Sequence, residues 1–164
     1  MKKLVVFQLG HEQYALDVNQ IQSIERVMEI TPVPQVENDY IKGIINLRGE
    51  VIPIIDLKEN LNMGATEINK ETRIIVTHFH EMSLGLLVDS ASDVIDVDKT
   101  TIEASEQIIQ DSKHHVIQGI VKQNEDLIIL LDVRGVVGNR NISKLKDIAQ
   151  NKHSNVVRDV EYEG

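Results

Sequence analysis

The chain has 164 residues, 41% hydrophobic and 26% charged, with a net charge of −9 and a pI near 5.1. That suffices for one domain, or one pair of closely packed halves, with a real core, and the composition argues against a disordered chain or a coiled coil. The acidic balance, the absence of a Lys/Arg run and the scarcity of aromatic residues argue against a nucleic-acid partner, and the lack of Cys removes disulfides, thiolate zinc sites and cysteine nucleophiles.

At the start, Lys2 and Lys3 precede only four apolar residues before Gln8. This is too short for a signal peptide or a membrane span, so a soluble, intracellular protein without membrane insertion is expected. The core residues are of one kind: 22 Ile and 19 Val stand against two Phe, three Tyr and no Trp. β-Branched side chains suit a pleated, half-buried surface, which predicts an all-β protein of about ten strands. Leu4–Leu9 and Gln13–Val18 form a hairpin about Gly10-His11-Glu12, and Ser23–Ile30 follows as a further strand. Gly43–Leu47 and Val51–Leu57 flank Arg48-Gly49-Glu50, while Arg73–Phe79 and Met82–Val88 flank His80-Glu81. Asp93–Val97, then Ile117–Val121 with Leu127–Val133, complete the set. Asp56 and Asp132 are placed to cap short helices, Ser143–Gln150 has helical spacing, Asn151–Gly164 reads as a polar tail, and Asn139–Gly164 is expected to tolerate shortening from its end.

An internal repeat organises these elements. Ile41-Lys42-Gly43-Ile44 matches Ile117-Gln118-Gly119-Ile120, and each Gly is followed thirteen residues later by an Asp that ends an apolar strand, Asp56 or Asp132. Leu16, Val18, Ile24 and Val27 align in the same way with Leu86, Val88, Val94 and Val97. The extra residues of the second copy fall most naturally in the Gln107–His115 loop. One such unit alone would have a marginal core, so two are expected to pack on each other. Gly43 and Gly119 are then expected to occupy equivalent places.

Chemistry is sparse. His78 and His80 share a strand face and could begin a metal site, but two ligands are too few; His114-His115 is no better. The Asp89–Asp93 and Asp96–Asp98 clusters lack the pattern of a calcium loop, and no nucleophile elbow or phosphate loop occurs. The segment that stands out is Asn46–Leu57, where Arg48 rides a turn between two aliphatic strands. It could pair with Glu50 or Asp56 as a solvated turn residue, or serve as a binding anchor. The second copy carries Asn124 there, so folding of the unit does not demand Arg.

Several motifs together resemble the CheW family of chemotaxis coupling proteins. They are Leu4-Val5-Val6-Phe7-Gln8-Leu9-Gly10, Tyr14-Ala15-Leu16-Asp17-Val18, Ile41-Lys42-Gly43-Ile44-Ile45-Asn46-Leu47-Arg48-Gly49 and Pro53-Ile54-Ile55-Asp56-Leu57, with Gly85-Leu86-Leu87-Val88-Asp89 and Val94-Ile95 from the second half. The resemblance implies two tandem SH3-like, five-stranded barrels: a domain over 1–138 with a first barrel at about 12–79, a second at about 80–138, and strand 4–9 joining the second. Residues 139–164, read from their own spacing and composition as a C-terminal helix and polar tail, depart from shorter family members, and no function carries over beyond Val137. The resemblance further implies no catalysis, no cofactor and no metal. The implied protein is a cytoplasmic adaptor, monomeric outside the signalling array, that joins the tips of methyl-accepting chemoreceptors to the regulatory domain of the histidine kinase CheA. A receptor helix would lie in the groove between the barrels, with Ile21, Ile24 and Val94 lining it and Arg48 as the polar anchor. The alternative is a stand-alone β-barrel module that binds another signalling partner; an enzyme is a distant third.

Overall fold

The computed structural model describes residues 1–34, 40–79, 81–103, 116–137 and 145–149. The architecture is all-β, with eleven strands among the described residues, a few one-turn helices, and two sheets. One sheet runs β3 (Ile21–Arg26), β6 (Arg73–Phe79), β7 (Met82–Val88), β5 (Glu50–Asp56), β4 (Ile41–Leu47). The other runs β8 (Ser90–Val97), β1 (Lys2–Leu9), β2 (Glu12–Asp17), β11 (Asp126–Leu131), β10 (Ile117–Gln123), β9 (Ile102–Glu103). Each curls until its last strand meets the segment that follows its first: Thr31, just beyond β3, bridges to Ile44 on β4, and β9, just beyond β8, pairs with β10. Two small barrels result, with β3, β4, β5, β6 and β7 equivalent to β8, β10, β11, β1 and β2.

This order corrects the expected division near residue 80. The first barrel is the unbroken stretch 21–88, and the second combines 2–17 with 90–131. The whole β1–β2 hairpin, not strand 4–9 alone, lies in the second sheet, and the whole β6–β7 hairpin lies in the first. The reason is local. Leu9 pairs with Glu12 and Phe79 with Met82, leaving two-residue turns that cannot deliver their strands to different sheets. The hairpins are joined to their sheets by parallel ladders, β2 to β11 and β7 to β5.

Gly43 and Gly119 do occupy equivalent places. Both follow a register shift, Ile41↔Ile55 to Gly43↔Ile54 and Ile117↔Leu131 to Gly119↔Leu130. At both, the strand opposite a bulge is approached closely by the closing segment: a Cβ on Gly43 would lie 2.1 Å from the Thr31 oxygen, and one on Gly119 would lie 2.7 Å from Ile102 Cγ2.

Strand alternation sorts the aliphatic residues into three layers. Leu4 and Val6 point into the second barrel, whereas Phe7 and Leu9 point out of it; Ile74 and Val76 point into the first barrel, whereas Ile75 points out. The outward set forms a layer shared by the barrels, with Phe7, Leu16, Ile55, Leu57, Ile75 and Leu86 all fully buried. It holds 19 buried residues among those described, against seven inside each barrel, so most of the burial energy belongs to neither barrel alone. The short helix at 145–149 contributes Leu145 and Ile148 to this layer. That part of the C-terminal segment is therefore core. The tail expected at 151–164 lies outside the described residues.

Candidate partner-binding surface

Leu47 pairs with Glu50, so Arg48 and Gly49 alone make the β4–β5 turn, with φ of 49° and 87°. Two consecutive positive φ values match the right-handed twist of the flanking strands. For Gly49 they are free of steric cost, but for Arg48 the left-handed conformation costs roughly 1 kcal/mol. The equivalent turn uses Asn124, at φ 56°, a residue that tolerates this region better. Arg48 thus stands at a position where the barrel would be better served by Asn or Gly. The Gly49 N–H donates to Asn46 Oδ1 at 3.0 Å and closes the turn.

The guanidinium partner is Glu25, on β3, rather than Glu50 or Asp56. Arg48 Nη2 lies 3.5 Å from Glu25 Oε2, and the Arg48 side chain remains 70% exposed. A long pair in that exposure contributes about 0–1 kcal/mol and does not account for the residue. Asp56 is unavailable to Arg48 because it is buried and engaged: its oxygens accept from Glu59 N–H, Thr66 N–H and Thr66 Oγ1. The Glu25 pairing had no sequence signal, since it depends on how the barrel closes.

Ile24 and Val94 are among the few exposed large aliphatic residues, at 40% and 60%. They sit at equivalent points on the equivalent strands β3 and β8. Ile24 is directly opposite Ile75, and Val94 is directly opposite Val5, both buried. Directly opposed residues share a face, so Ile24 lies on the shared-layer face of the first barrel and Val94 on the outward face of the second. Ile21 is half-buried and packs against the shared layer itself. Arg48 is brought to β3 through Glu25, which lies opposite Ile74 on the face of the strand away from Ile24, whereas Val94 comes from the other sheet. His78 is exposed, His80 and His114-His115 lie outside the described residues, and no three potential metal ligands gather among the described ones.

The two strand-ending aspartates have diverged. Asp132 accepts from Arg134 through its backbone N–H, Nε and Nη2, the last at 2.7 Å, and from Gln20 Nε2 at 3.4 Å. Gln20 belongs to the turn Val18–Gln20, where the chain passes between barrels, so the cluster ties that crossing to the second barrel. Burial pushes the Asp132 carboxyl up, but the hydrogen bonds and charge of Arg134, with help from Gln20, outweigh it and hold the group below its ordinary value. A lowered native pKa means that the stabilisation is fully present above the unfolded value of about 4 and is lost as pH falls through the lower native one. Thermal melts from pH 6 down to about pH 2 should therefore show a smaller acid-side loss for Asp132→Asn than for the wild type. Parallel curves would remove this group from the acid response.

The features that distinguish the molecule are surfaces on a rigid double barrel, the anatomy of a protein-interaction module. The CheW-like domain model matches residues 3–140, and the chain belongs to the CheW family. It is similar to the chemotaxis protein CheW of Bacillus subtilis, 41% identical over 136 residues that cover 83% of this chain and 86% of that one. The chemotaxis protein CheW of Treponema pallidum is 28% identical over 150 residues, 89% of this chain and 88% of that one. The crystal structure of the scaffolding protein TtCheW from Thermoanaerobacter tengcongensis is similar with a TM-score of 0.77 and 33% identity, over 85% of this chain and 90% of that one. No helix among the described residues is long and apolar enough to cross a membrane.

Proposed function

We propose that this protein is a non-catalytic chemotaxis adaptor that couples the cytoplasmic tips of transmembrane chemoreceptors to the regulatory domain of CheA, working in the cytoplasm and recruited to membrane-associated receptor arrays. The observation that carries the reading is the pairing of Ile24 and Val94 as equivalent exposed aliphatics on either barrel, in a member of the CheW family. A receptor helix laid along the seam would cover both, with Ile21 at the floor and Arg48 as the polar anchor. The adaptor then acts through binding alone. It raises the local kinase concentration at the receptor and favours those kinase conformations that it binds more tightly.

The test is co-sedimentation of the purified protein with a chemoreceptor cytoplasmic fragment and CheA. Stoichiometric recovery with both is expected, with neither fragment consumed. A folded protein that sediments with neither would favour the alternative, a stand-alone barrel module for another signalling partner.

A further inference from the structure

The structure assigns a role to the helix at 145–149: we propose that it is a positioning strut that sets the pose of the Arg48 turn. The proposal rests on the reading of Arg48 as a receptor anchor. Lys146 and Ala149 wall one cleft together with Glu50 and Val51 from the β4–β5 hairpin and Glu81, Met82 and Ser83 from the β6–β7 hairpin. On its inner side the same helix is fixed by Leu145 and Ile148 in the shared layer, against which Val51 and Met82 also pack. Val51 is the cross-strand partner of Asn46, and Asn46 Oδ1 holds the Gly49 N–H. The helix therefore lines one cleft with Glu50 and Val51, the two residues that follow the turn. Among the described residues, the turn carries a strained Arg and is held by the Leu47–Glu50 strand pair, the Asn46–Gly49 bond and a 3.5 Å exposed ion pair.

The second barrel supplies the comparison. Its equivalent end has a cleft lined by His11, Glu12, Gln13, Asp126 and Leu127, the counterparts of Glu81, Met82, Ser83, Glu50 and Val51. No helix walls that cleft among the described residues, and Leu127 is 58% exposed where Val51 is half-buried. Closing a barrel does not require the cover, and the cover is found on the end that carries Arg48. The helix lies beyond the 3–140 span matched to the family domain.

The experiment is a cycle of Lys146→Glu with Arg48→Ala, read as affinity for a purified chemoreceptor cytoplasmic fragment, with thermal melts in parallel. Lys146→Glu would set a third carboxylate against Glu50 and Glu81 and loosen the helix from the cleft. We expect it to weaken binding about fivefold when Arg48 is present and not at all in Arg48→Ala, with Lys146→Arg restoring affinity. Should Lys146→Glu melt early, Lys146→Ala makes the same comparison without adding a carboxylate. An equal loss in both backgrounds, or no loss beside Arg48, overturns the strut. Full affinity in Arg48→Ala alone overturns the underlying reading of Arg48 instead, and the strut with it.

Discussion

Arg48→Asp should leave a folded protein whose affinity for a chemoreceptor cytoplasmic fragment falls at least thirtyfold. The stability side is small for three reasons. The side chain is 70% exposed, its pair with Glu25 is long, and Asp tolerates a positive φ better than Arg does. A change of about 0.5 kcal/mol is the expectation for such a surface site. Binding responds differently, because an arginine anchor at the centre of an interface is worth about 2 kcal/mol or more, and that energy corresponds to the thirtyfold factor. Titration of the receptor fragment against both proteins, with melts alongside, measures the two effects separately. Unchanged affinity in the folded variant would return Arg48 to a solvated turn residue.

For stability, Gly43→Ala is the substitution with the largest expected cost. A Cβ there would fall 2.1 Å from the Thr31 oxygen and 2.8 Å from its carbonyl carbon, and the residue has φ of 146°. The obstacle is backbone, held by a reciprocal pair of bonds, Thr31 N–H to Ile44 oxygen at 2.8 Å and Ile44 N–H to Thr31 oxygen at 2.9 Å. Relief requires breaking that bridge, which opens the first barrel. Two lost bonds and the strained backbone together amount to about 3–5 kcal/mol, a large part of a typical total of about 5–15 kcal/mol. Gly119→Ala should cost less, because its nearest neighbour is a movable side-chain atom, Ile102 Cγ2, with the Glu103 oxygen at 3.1 Å. Urea midpoints rank the two. A Gly43→Ala protein as stable as Gly119→Ala would mean that Thr31 yields easily.

Much of this arrangement was legible in the sequence, for identifiable reasons. Short apolar runs broken by Gly10-His11, Arg48-Gly49 and His80-Glu81 mark hairpins because turn residues and alternation act locally. Gly43 and Gly119 mark the repeat because at both the closing segment comes too near for a Cβ unless a neighbour shifts. What was not legible depends on pairings distant in sequence. Alternation shows which residues face inward on β2 and β7, but nothing in it says that their outer edges join β11 and β5 in parallel. The same gap hid Glu25 as the partner of Arg48. Leu145 and Ile148 showed only helical spacing, since the layer they join is built from residues far earlier in the chain as well as from Val133, Val136 and Val137. Ile21, Ile24 and Val94 were equally opaque: a lone aliphatic on a strand reads alike whether it is half-buried, as Ile21 is, or exposed, as the other two are.

The unbroken first barrel, set between β2 and β8 of the second, imposes an order of assembly. All the strands of the first barrel lie within 21–88, so its ladders close over short spans. The second must join Lys2 to Val97 and Leu4 to Ile95, and the entropy of closing so long a loop stands against it until something shortens the path. The finished first barrel does so, since Val18 and Asp89 become fixed exits, and in the folded protein the Gly10 N–H donates to the Asp89 carboxylate at 2.6 Å. During synthesis the outer edges of the N-terminal hairpin therefore stay unpaired until about 80 further residues complete β8 for β1 and about 114 complete β11 for β2. In that interval its exposed edges are the part of the chain most open to mispairing with a neighbour.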